Sequence, residues 1–264
     1  MIGPEIFTSV IDSYLPEPQA ALLNGIIFGV KLKTTTAFYQ QIKTVGLLHI
    51  VVLSGANITI LTAIVLRLTQ FLSKSISIVI SILITIFFIV FVGPQAPVIR
   101  AAVMNILTLV AILLGRKNYA LYSLLLSLIF IAIFYPDWLT TLSLQLSYGA
   151  TLGLILFSRF RFRSRHPWLN YLGDELTTSL AAQFFTVPLI FAYFRTVSLI
   201  SPLANVCVSF TIAPVMILGL VTALAGLVWH PLGQLSAYLC YGILVYITTV
   251  IKWLSQVPGG YWTF

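Results

Sequence analysis

The chain has 264 residues, 59% of them hydrophobic and only 8% charged. Six acidic and fourteen basic side chains, a net charge of +8, cannot cover a water-facing globule of this length. That excludes an ordinary soluble enzyme, a disordered chain and a coiled coil, and makes the bilayer the solvent for most of the surface. Cys207 and Cys240 lie in apolar runs. They are too few for a disulfide scaffold and read as small hydrophobes. Met1-Ile2-Gly3-Pro4-Glu5 lacks the basic region and apolar core of a cleavable signal peptide, so insertion falls to internal spans.

Residues 18–30 and 34–45 read as two short helices forming an interfacial hairpin, the first ended by Lys31 and Lys33. A transmembrane bundle is expected over 46–260, within a single membrane domain covering 1–264. A crossing helix needs about 20 apolar residues, so the gaps between charges locate the spans. Uncharged runs of 23 residues separate Lys43 from Arg67, and 25 separate Lys74 from Arg100. Runs of 19, 21 and 19 follow at Lys117–Asp137, Asp137–Arg159 and Glu175–Arg195. The 56 residues between Arg195 and Lys252 divide at Trp229-His230-Pro231 into two spans. One further span begins near Pro97 and holds Arg100 about one turn in. The expectation is all-α: a polytopic bundle of about eight transmembrane helices, with broken or re-entrant helices admitted at Ser54-Gly55 and at Pro188 and Pro214. Gly93-Pro94-Gln95-Ala96-Pro97 reads as a turn with proline at a helix start. Gly25 and Gly29, and Gly149 and Gly153, have the four-residue spacing of close helix packing.

Cations concentrate after the first, third and fifth spans: Lys74, then Arg116 and Lys117, then Arg159, Arg161, Arg163 and Arg165. The positive-inside rule makes these loops cytoplasmic and turns both termini outward. The Arg-Phe-Arg-Phe-Arg run reads first as an interfacial anchor, although its aromatics could stack on bases.

Polar side chains inside spans carry the functional signal. His49 and Asn57 are eight residues apart and would share a helix face, with Ser54 beside that stripe. Gly55 weakens a helix there and suggests a bend or a close approach. Arg100, near the positive end of its helix dipole, requires an anion. Asp137 or a transient phosphate would serve, and the guanidinium fork suits both. Gln145, Ser147, Gln183 and Asn205 add neutral hydrogen-bonding groups at membrane depth.

No P-loop, His-Glu-x-x-His run or clustered histidine set occurs, and the spans hold no Asp or Glu. No metal or cofactor is called for, and a carboxylate proton relay is disfavoured. A Ser54–His49 nucleophile pair is disfavoured too, because five residues turn a helix through about 500°.

Gly46 through Leu48-His49 to Leu53-Ser54-Gly55-Ala56-Asn57-Ile58 resembles the signature of the ComEC-type competence proteins. Pro97-Val98-Ile99-Arg100-Ala101-Ala102-Val103-Met104 is similar to the same family's second signature. Leu114-Gly115-Arg116, Pro136, Leu144 to Ala150, Pro202-Leu203-Ala204-Asn205 and Val257-Pro258 follow in order. The similarity covers about residues 18–260. It implies a bacterial inner-membrane channel for single-stranded transforming DNA, not an enzyme in itself. His49, Ser54, Gly55, Asn57, Arg100, Gln145, Ser147, Gln183 and Asn205 would lie along the strand's path. The basic loop with Arg116 and Arg159 to Arg165 would receive it. The family often has a second histidine where this chain has Asn57, which removes a titratable group. Full-length members also carry an OB-type domain and a metallo-β-lactamase-like nuclease domain, and neither motif set occurs in this sequence. The resemblance therefore implies a separate nuclease, a cytoplasmic helicase and strand-binding proteins as partners. The alternatives are a small-solute or lipid-linked transporter and, third, an intramembrane hydrolase.

Overall fold

The computed structural model describes residues 3–157 and 166–263. Arg159, Arg161, Arg163 and Arg165 lie outside them. Among the described residues there are twelve α-helices, one 3₁₀ turn and two short strands. They divide into two compact units.

The first unit comprises residues 1–53, 159–180 and 187–264. Its helices are α1 (Glu5–Tyr14), α2 (Gln19–Phe28), α3 (Thr36–Val45) and the single turn α4 (Leu48–Val51). Both ends of α10 (Pro167–Phe194), all of α11 (Ser201–Val228) and α12 (His230–Leu254) complete it. Every residue from Ala20 to Phe28 is buried, so α2 is enclosed by α1, α4, α11 and α12. Its apolar residues run around the whole circumference, which is the pattern of a core helix. By contrast, α3 buries one face only, through Phe38, Ile42 and Val45, as a helix at an interface does. Gly25 lets α4 approach: a Cβ there would stand 2.7 Å from the Val51 carbonyl oxygen. Strands β1 (Thr196–Ser198) and β2 (Tyr261–Thr263) pair antiparallel, Val197 opposite Trp262. Ser198 Oγ donates to the Thr44 carbonyl at 2.8 Å, tying this ribbon to the end of α3.

The second unit comprises residues 54–158 and 181–186. Its helices are α5 (Gly55–Leu68), α6 (Lys74–Val92), α7 (Ala96–Leu113), α8 (Ala120–Phe134) and α9 (Leu142–Phe157). A 3₁₀ turn over Pro136–Thr140 joins α8 to α9. Short links between packed neighbours make α5 to α9 an up-and-down series. Ala96, Ile99, Ile131 and Leu144 form a core flanked by Phe130, Tyr135, Trp138 and Tyr148.

Five helices are long and apolar enough to cross a membrane: α6, α7, α10, α11 and α12. α8 and α9 are apolar but have 15 and 16 residues, about 22 and 24 Å of helix. The first expected span is the exception. It divides into α4 and the 14-residue α5, with Val52 to Ser54 extended between them. Ser54 takes the extended conformation of an N-cap and Gly55 opens the new helix, so the chain unwinds where serine and glycine disfavour its continuation. The helices run unbroken through Pro188 and Pro214. The other breakers act as expected: Gly93, at φ 91°, ends α6, and Pro97 lies in the first turn of α7.

Gly153 on α9 meets the carbonyl of Ala181 closely enough that a Cβ has no room. Gly153→Val should therefore cost about 1–3 kcal/mol and lower the unfolding temperature in detergent. Gly242→Ala, where a Cβ meets nothing within 4 Å, should leave that temperature unchanged or slightly higher. Equal behaviour of the two variants would show that α9 and the 181–186 segment are not in this contact.

Candidate functional site

The residues that converge belong to the second unit. α5 and α7 start at the same end of the helical series, and Arg100 lies in the second turn of α7. Arg100 is only 7% exposed. Its Nε donates to Ser147 Oγ on α9 at 2.8 Å, and its Nη1 contacts Met104 Sδ at 3.3 Å. The guanidinium carbon stands 5.9 Å from the centre of the Tyr148 ring. Gly55 is the close neighbour on α5: a Cβ built there would lie 3.1 Å from Arg100 Nη2 and 3.3 Å from Ala101 Cβ.

Arg100 does not pair with Asp137. Asp137 is exposed in the 3₁₀ turn, and no carboxylate among the described residues bonds the guanidinium. The cation is instead held by a hydroxyl, a thioether and an aromatic face. All three lower the cost of burial without neutralising the charge.

At the head of α5, Ser54 Oγ donates to Asn57 Oδ1 at 3.2 Å and caps no backbone N–H. The structure therefore gathers Ser54, Gly55, Asn57, Arg100 and Ser147. Gln145 is half-buried on α9 and reaches the Thr140 carbonyl at 3.5 Å. Gln183 lies in the short stretch of α10 that belongs to this unit.

His49 and Asn205 belong to the first unit. The helical stripe expected to join His49 to Asn57 does not form, because the helix breaks between them. His49 Nδ1 lies 3.1 Å from the Gly46 carbonyl oxygen. A carbonyl only accepts, so Nδ1 carries the proton, and Nε2 is left as the acceptor whenever the ring is neutral. Gly46, at φ 77°, makes the turn that allows this, and a Cβ there would strike Ser201. Asn205 Nδ2 donates to Ser179 Oγ at 2.8 Å, while its Oδ1 is buried without a partner. Ser54 thus gives its proton to an amide rather than to a base, which removes support from the hydrolase alternative.

The helices also share a set of polar ties that the sequence reading passed over. Ser127 Oγ and Tyr148 Oη are 2.8 Å apart. Asn118 joins Thr108 to Ser123, and Asn105 Nδ2 donates to Thr62 Oγ1 at 2.7 Å. Arg100, Met104 and Thr108 recur every four residues on α7, and Ser123 and Ser127 do so on α8. That spacing was the available signal, one face of a helix in each case. These neutral bonds tie α7 to α5 and α8, and α8 to α9.

Arg67, Lys74, Arg116 and Lys117 are all exposed at the end opposite Arg100, where α5 meets α6 and α7 meets α8. Fold and charge together define a polytopic helical membrane protein whose second unit has one buried cation near one end and exposed cations at the other. Residues 26–264 match the family described as Competence protein, and the chain belongs to that family. It is similar to ComE operon protein 3 of Bacillus subtilis (strain 168), with 26% identity over 197 residues. The similarity covers 73% of this chain and 25% of that protein, so the chain spans about a quarter of the relative's length. Both findings bear out the ComEC-type resemblance. No solved structure matches the chain.

Ser147→Ala removes the acceptor of a charged, buried donor and should cost about 1.5–3 kcal/mol in unfolding measurements in detergent. Tyr148→Phe keeps the ring under Arg100 and loses only the Ser127 bond, a cost of about 0.5–1.5 kcal/mol. If Ser147→Ala were the milder variant, the Arg100–Ser147 bond would not be carrying the charge.

Proposed function

We propose that this chain forms part of the inner-membrane passage through which one strand of transforming DNA enters a competent bacterium. Family membership supports a role in DNA uptake. The observation that carries the reading further is the charge layout of the second unit: a buried guanidinium without an acid at one end, only neutral polar groups along the helices, and four exposed cations at the other.

A single strand presents one negative phosphate per nucleotide, and each phosphate held by a cation adds to a salt-sensitive grip. A row of buried Lys and Arg would trap such a polymer. One cation near entry and several at exit attract it at both ends and leave it free to slide between. On this reading the end with the exposed cations faces the cytoplasm and the Arg100 end the outer side, with both termini outward, as the positive-inside rule favours. Asn57, Gln145 and Gln183 of the same unit supply neutral contacts along the way. Lacking a nucleotide-binding motif of its own in this sequence, the passage draws its driving force from a cytoplasmic helicase and strand-binding proteins. A nuclease removes the other strand.

The test is a transformation assay with labelled DNA that separates surface-bound from internalised label. Arg100→Gln at normal abundance should leave surface binding intact and cut internalisation at least about tenfold, the equivalent of ~1.4 kcal/mol. Neutralising Arg116 and Lys117 together should slow internalisation by a smaller factor that shrinks further at high salt. Unchanged internalisation in Arg100→Gln would reduce Arg100 to a structural cation and remove the main support for this reading.

A further inference from the structure

We propose that Asp12, Glu17 and the buried amide oxygen of Asn24 form a site for a divalent cation of the calcium type, which clamps α1 to the head of α2. The site lies within the first unit and does not depend on the function proposed above.

Asn24 supplies the observation that points to a ligand. It is only 7% exposed, on a helix enclosed by its neighbours. Its Nδ2 donates to Asp12 Oδ1 on α1 at 2.7 Å. Its Oδ1 is buried and has no partner. Buried amide oxygens are normally satisfied, so one left over calls for a donor or a positive charge. The bond to Asp12 fixes where that charge would sit. The two ends of one amide are neighbours, so the orphaned oxygen lies beside the Asp12 carboxylate. The bond also uses one Asp12 oxygen and leaves the second for a cation.

Glu17 completes the set. Its carboxylate accepts from the Ala21 N–H in the first turn of α2. A helical side chain leans toward the helix N-terminus, over the residues three and four before it. For Asn24 these are Ala21 and Ala20, so its amide and the Glu17 carboxylate approach each other over the same turn. Partial burial, and then the charge of Asp12, raise the Glu17 carboxyl above its ordinary range, while the Ala21 bond opposes them. No lysine or arginine is among the charges that act on it.

Two acids and an amide oxygen make an all-oxygen set with net negative charge, which suits a hard cation. Calcium takes about six to eight oxygens, mixes carboxylates with amide carbonyls and lets water fill the remaining positions. Magnesium demands stricter geometry and gives up water reluctantly, so an amide oxygen this enclosed favours calcium. Asp12 and Glu17 are exposed, so the ion enters from solvent. Glu17 borders an open groove of about 430 Å³ that Lys33, Thr34 and Thr35 also line.

The test is calorimetric titration of the chelator-stripped whole chain in detergent with calcium and with magnesium, and thermal unfolding as a second readout. One calcium should bind per chain and raise the unfolding temperature. Magnesium should bind at least about tenfold more weakly. Asp12→Asn keeps the acceptor for Asn24 and loses only charge; it and Glu17→Gln should each weaken calcium binding by about tenfold. Asn24→Asp should unfold at a lower temperature when stripped and bind calcium more tightly, because only the ion compensates a buried added carboxylate. Glu5→Gln, an exposed acid about two turns away on α1, should bind as the parent does. Asp12→Asn and Glu17→Gln alter exposed side chains and decide the matter if Asn24→Asp does not fold. A folded parent that binds no calcium, or undiminished binding in both of those variants, would overturn the site. Magnesium binding as tight as calcium would overturn the assignment of the ion.

Discussion

The burial of the Arg100 guanidinium is the constraint around which the second unit is organised. A charge in a low-dielectric interior loses several kcal/mol of hydration, and the usual remedy is a carboxylate. Here the remedy is a hydroxyl from Ser147, a sulfur from Met104 and the face of Tyr148. Those contacts fix the separation of α7 from α9. They also bring the fork against α5 at Gly55, where the absence of a side chain leaves room for it. None of these partners carries a negative charge, so the cation is held without being neutralised.

The two units meet the same problem of adhesion in apolar surroundings by different means. Lipid is as apolar as leucine, so helices in a membrane associate through close packing and hydrogen bonds rather than through hydrophobic burial. In the first unit a short helix is enclosed on all sides, and Gly25 allows α4 to reach it. Thr222 and Ser236 add a hydroxyl contact at 3.0 Å between α11 and α12. In the second unit the adhesion is a set of neutral side-chain bonds from Thr62 to Tyr148. Such bonds hold helices in register without placing charge along them.

The chain belongs to the competence protein family, and the relative from Bacillus subtilis is about four times as long as the region it shares with this chain. The buried cation and the opposed cluster of exposed cations belong to this segment itself. They are the features on which the proposed handling of a nucleic acid strand rests.

Much of this was readable from the order of residues. Charge spacing located the long helices, because a membrane helix tolerates few charges over about 20 residues. Gly93, Gly115 and Trp229-His230-Pro231 marked real ends, because backbone conformation at glycine and proline is a local property. Arg100 stood out because a cation in an apolar run is costly wherever it lies. Only the tertiary structure decided its partners: Asp137 was near enough in topology to be a candidate, yet Ser147, Met104 and Tyr148 took the contact. The same holds for the split between α4 and α5, which separated His49 from Asn57, and for the enclosure of α2. Distances between side chains on different helices depend on how those helices pack, and one-dimensional spacing carries no term for that.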